Sequence, residues 1–201
     1  MVGTIIPMVH GDGKYGAQDV VCWIYCLACT LGASVFGLLV VLLGQKATSR
    51  LNESKSLSLE LFVAAVLAGL YSLHELRIWT LPAPQIRRQV PKAWSIRYSP
   101  MSCAALYGIC LGFGIGTRVP FTTFYVLTVL VFFKHSYFGV VSFAILGLAR
   151  GGTLLAFRRG PCAAERIPSI SYWKPVVALL NGLLLAAFFS MSLLFWVRGL
   201  K

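Results

Sequence analysis

The sequence predicts an all-α polytopic membrane protein. It is expected to hold five full transmembrane segments plus a truncated first one, as two inverted three-helix repeats with a broken helix at Gly116–Pro120. Three observations carry this. The 201 residues are 58% hydrophobic and 12% charged, with a mean hydropathy of +0.78; an average soluble domain carries about 25% charged residues. The apolar residues come in runs long enough to cross a bilayer, for which about 20 suffice. Finally, one frame occurs twice: residues 3–8 read G-T-I-I-P-M and residues 116–121 read G-T-R-V-P-F.

Taken in order, segment A covers about residues 19–44 and segment B about 58–79. Segment C, about 101–133, is too long for one straight crossing. Segment D covers about 136–157, after a tight turn at Lys134 and His135. Segment E covers about 173–197, with Pro175 near its first turn, where proline is tolerated. Residues 80–100 hold four prolines and four basic residues. They predict an extended loop on the headgroups, anchored by Trp79, Trp94 and Tyr98. Residues 158–172 predict a second basic loop, with Arg158, Arg159 and Arg166.

The formal net charge is +12. The basic residues cluster in connections between apolar runs, which fits topology and anionic headgroups. No basic groove interleaved with aromatics occurs, so nucleic acid is not an expected partner. Five crossings put the N-terminus and the 80–100 and 158–172 loops on one side. That side carries ten Lys and Arg against six on the other, so it is expected to be cytoplasmic.

The two frames lie 113 residues apart. The same offset moves segment A onto D and segment B onto E. The chain thus divides into a first repeat (1–79, first segment truncated), a linker loop (80–100) and a second repeat (101–201), within a single membrane domain. Three crossings is an odd number, so the copies are expected to be inverted, as in transporter folds whose sites lie at broken helices. The gap left by the truncated segment would be covered by lipid, a second copy or another membrane protein.

The stretch L-Y-G-I-C-L-G-F-G-I-G-T-R-V-P-F-T-T-F-Y-V-L (106–127) and the repeat resemble the transmembrane domain of the CcdA/DsbD family. The resemblance covers most of the chain from segment A onward. It implies six helices in two inverted repeats and a multi-pass protein of the bacterial inner membrane. It also implies thiol-disulfide transfer serving such ends as cytochrome c biogenesis. The family keeps a cysteine beside the proline of its kink. Here Thr117, Arg118, Val119 and Pro120 stand there, and neither frame holds a cysteine.

Arg118 lies within an apolar segment, where a charge costs about 2.5–3.5 kcal/mol and usually faces a cavity or a partner. Pro120 frees the carbonyl of Gly116 and disfavours helix at the preceding residue. With Thr117, Thr122 and Thr123 nearby, the break can form a polar pocket that contacts a substrate. Equally, Arg118 can pair with Glu75 and simply lock helices. Arg150 in segment D is a second intramembrane charge, able to extend toward the 158–172 side. His74, Glu75 and Arg77 close segment B, and Asn181 is a candidate interhelical donor in segment E.

Cys22, Cys26 and Cys29 share one face of segment A. With Cys103 and Cys110 in segment C they are candidate redox thiols. Buried cysteine is also a small apolar residue, and that reading stands beside the first. The ladders Gly108, Gly112, Gly116 and Gly147, Gly151 predict seams where helices approach closely. There is no catalytic triad, carboxylate pair or H-E-x-x-H arrangement, so neither catalytic residues, a metal nor a cofactor is expected. The expected function is movement of reducing equivalents or a small solute at the broken helix. The alternative is a non-catalytic accessory subunit of a membrane complex.

Overall fold

The computed structural model describes residues 15–49, 53–81, 94–114, 122–134, 136–157 and 163–199. All regular structure among them is helical: α1 (Tyr15–Thr48), α2 (Glu53–Glu75), α3 (Trp94–Arg97), α4 (Pro100–Gly112), α5 (Thr123–Lys134), α6 (Tyr137–Phe157) and α7 (Ala163–Gly199). By length and composition, three stretches among these residues can cross a membrane: Asp19–Thr48, Tyr137–Leu155 and Pro175–Val197.

Segment C is two short helices. Pro100 starts α4 at the first helical position, where its missing N–H is no loss. Ser99 caps it, its Oγ accepting the Ser102 N–H at 3.3 Å. The helix stops at Gly112. Phe113 is its C-cap and Gly114 follows at φ 74°, a left-handed position that glycine takes without steric cost. The chain is helical again from Thr123. With 13 and 12 residues, α4 and α5 are each about 20 Å long, short of the roughly 30 Å hydrocarbon core.

Three expectations need correction. The 80–100 loop contains the helical turn α3, and Trp94 is partly buried, packing edge-on to Tyr107 at 5.9 Å. Residues 163–172 are helical, because Ala163-Ala164-Glu165-Arg166 is a run of strong helix formers. Pro175 therefore stands well inside α7. Segment B ends at Glu75, four residues early. There Ile78 N–H reaches the Leu73 carbonyl at 3.0 Å and Arg77 N–H the His74 carbonyl at 3.1 Å. This is a Schellman ending with Arg77, not glycine, in the left-handed position at φ 59°.

The contacts divide the chain into two units. Unit 1 holds α1 up to Leu38, α3, α4 and most of α6. Its centre is the buried face of α1. Cys22, Cys26, Cys29 and Ala33 are at most 1% exposed, spaced to fall on one stripe. Gly108 of α4 packs on Tyr25 and Ala28, and Gly112 on Cys29. Gly147 and Gly151 of α6 pack on the same face, at Ala33 and Cys26. At these four glycines the ladders are packing seams, as expected. Phe36 closes one end, edge-on to Phe113 and Phe143 at 5.5 and 5.2 Å.

Unit 2 holds the end of α1, α2, α5 and the greater part of α7. Ala68 and Tyr71 of α2, Val126 of α5 and Leu185 of α7 form its core. Tyr71 stacks on Tyr125 at 5.3 Å. Gly182 of α7 sits against Leu76, and its carbonyl accepts the Ser72 hydroxyl at 2.9 Å. Leucines of α7 such as Leu179, Leu180 and Leu184 stay exposed, a pattern suited to lipid and costly in water.

Candidate functional site

The polar chemistry of unit 2 gathers where α5 begins. The first N–H groups of a helix have no partner within it, and they carry its partial positive charge. Glu75, the last residue of α2, supplies the complement. Its Oε1 accepts the Thr122 backbone N–H at 3.0 Å and the Thr122 hydroxyl at 2.9 Å. It also accepts the Asn181 side-chain amide at 3.1 Å. Thr123 Oγ1 in turn donates to Asn181 Oδ1. One carboxylate thus ties α2, the head of α5 and α7 together. Bonds to an ionised acceptor are the stronger kind. His74 is occupied nearby, its Nδ1 accepting the Leu81 N–H at 2.9 Å.

Unit 1 shows the opposite arrangement at the tail of α4. The last carbonyls of a helix are unpaired and carry partial negative charge. Arg150 of α6 donates from Nη1 to the Leu111 carbonyl at 3.0 Å. Its side chain is half-buried and turned onto this carbonyl. Each half of the interrupted segment therefore ends on a side chain whose charge is opposite to that helix end, held by another helix.

Of the expected substrate residues, the structure brings Glu75 and Thr122 together with Asn181, and gives Arg150 a backbone partner. Gly116, Thr117, Arg118 and Pro120 lie outside the described residues. Among the expected redox residues, Cys22, Cys26, Cys29 and Cys103 are buried and Cys110 is partly exposed. Cys103 belongs to the apolar cluster of Val21, Tyr25, Ala104 and Tyr107. Among the described residues, no three His, Cys, Asp or Glu side chains converge as a metal would need.

The sequence reading missed Glu60, which is 4% exposed on α2 and engaged with a partner. Its signal was present: a carboxylate flanked by leucines in S-L-E-L-F. It also missed the direct role of Thr122 and Asn181 as partners of Glu75. No family model, curated protein or solved structure matches this chain.

Proposed function

We propose that this is a multi-pass protein of a bacterial inner membrane that passes a small solute at the break in segment C around Gly116–Pro120. The observation that carries this reading is the pair of counter-charged helix ends. Helix termini at membrane depth are tolerated where protein or a cavity satisfies them. Arg150 on the α4 carbonyl and Glu75 on the α5 N–H do so without a ligand. Broken helices of this kind are where transporters hold their cargo. Arg118, four residues before the Glu75-bound Thr122 in the sequence, supplies a further charge for an anionic solute.

In this reading the chain makes five crossings with the N-terminal side cytoplasmic, and its halves are inverted repeats resembling the CcdA/DsbD domain. The pairing of α1 with α6 and of α2 with α7 within their units supports this, since the 113-residue offset relates the same pairs. Solute passage is favoured over thiol transfer because four of the five candidate cysteines are buried, and exchange requires an accessible thiolate.

The test is flux through proteoliposomes loaded with chloride, phosphate or glutathione. The wild-type protein is expected to release at least one of them, and Arg118→Ala to lose that release. Unchanged flux in Arg118→Ala overturns the reading. Absence of flux for every probe, with a second membrane protein co-purifying, replaces it with the accessory-subunit reading.

A further inference from the structure

A groove runs along unit 2 between α2 and α7. Its volume is about 490 Å³, within the range of pockets that hold small ligands. Val66, Leu70 and Leu73 of α2, Leu76 just past its end, and Ala186 and Phe189 of α7 line it. From Val66 to Leu76 it follows α2 for about 15 Å. The one hydroxyl in the lining, on Ser72, is already spent on the Gly182 carbonyl. One turn beyond Val66, Phe62 packs on Trp196 at 5.7 Å across the same two helices. The groove is therefore apolar along its length and free of unmet polar groups. A polar solute gains nothing in it.

Its other end has a different character. Past Leu76 the Schellman turn sets Arg77 outward, followed by Ile78 and Trp79, both exposed. Exposed tryptophan marks the depth of the headgroups. The neighbouring carboxylate of Glu75 accepts three bonds from Thr122 and Asn181, and His74 accepts one from Leu81. Arg77 is thus an exposed cation next in sequence to Leu76, which lines the groove.

We infer that this groove is a binding site for an anionic glycerophospholipid, one acyl chain lying along Val66–Leu76 and the headgroup phosphate on Arg77. The chain fits the apolar lining and the charge fits Arg77. The site is independent of which solute the protein passes, and it requires only that α2 and α7 lie in the bilayer.

The experiment is native mass spectrometry of the purified full chain with added dioleoylphosphatidylglycerol or dioleoylphosphatidylcholine. The wild-type protein is expected to retain the anionic lipid about fivefold more strongly, the effect of one basic residue at an anionic surface. Arg77→Asn, a change the left-handed backbone tolerates, is expected to remove that preference and leave phosphatidylcholine retention unchanged. Ala186→Phe fills the groove and is expected to reduce retention of both lipids. Equal retention of the two lipids by the wild-type chain overturns the proposal. So does a preference that survives Arg77→Asn. A dimer whose mass is lost in Ala186→Phe, with no lipid adduct in the wild type, assigns the groove to a second copy and also overturns it.

Discussion

The seam between α1 and α4 is the most quantitative feature of unit 1, and Gly108→Ala tests it. A Cβ at Gly108 would lie 2.6 Å from the Tyr25 carbonyl oxygen, 2.7 Å from the Ala28 Cβ and 3.0 Å from the Cys29 nitrogen. Real Cβ contacts essentially stop at 3.0 Å, and ordinary contact begins at 3.4 Å. All three atoms belong to the backbone of α1 or are fixed to it, so no side chain can swing aside. α4 must retreat by about 0.4–0.8 Å. A gap of that size forfeits roughly a quarter of the dispersion well at each contact of the seam. Overpacking of this kind costs about 1–3 kcal/mol. Alanine returns up to about 1 kcal/mol of helix propensity. The net expectation is a loss of about 1–2 kcal/mol, or a midpoint lower by about 2–8 °C at this chain length. Gly152→Ala is the internal control, because a Cβ there meets nothing within 4 Å; it is expected to be neutral or slightly stabilising. Tryptophan-fluorescence melts of both variants in one detergent give the comparison. A Gly108→Ala midpoint equal to or above that of Gly152→Ala would refute the close-approach argument.

Three further outcomes are expected. Arg77→Gly relieves a left-handed residue and should stabilise the protein by about 1 kcal/mol in the same melts; a destabilised variant would contradict the helix ending described above. Glu75→Ala strips the acceptor from Thr122 and Asn181 and should cost about 2–3 kcal/mol, while Glu75→Gln keeps an acceptor and should cost about half as much. Equal melts for those two variants would argue against a charge at the head of α5. N-ethylmaleimide followed by peptide mapping should modify Cys110 before Cys22, Cys26, Cys29 and Cys103; simultaneous labelling of all five would mean that α1 does not keep its face buried.

Periodicity and apolar run length made segments A, B and D legible to within a few residues, because burying apolar surface is a local property of a stripe. The glycine ladders were legible for the same reason: absence of a side chain at i and i+4 leaves a groove whatever packs into it. The interruption of segment C was visible in its excess length. Its boundaries were not, since the left-handed Gly114 ends α4 before Pro120 can. The end of α2 was hidden because an arginine fills a position where glycine is the usual signal. The Glu75 network joins residues 47 and 106 positions apart, and no pattern along the chain encodes such a meeting. Arg150 could be read as a misplaced charge, but its carbonyl partner 39 residues away could not.

The counter-charges on α4 and α5 also impose an order on biogenesis. A ribosome delivers Glu75 before Thr122, so the head of α5 has its partner waiting when it emerges. The tail of α4 has none until Arg150 has been made, 39 residues later. The halves of the interruption are thus completed from opposite directions in time, one by an earlier helix and one by a later helix.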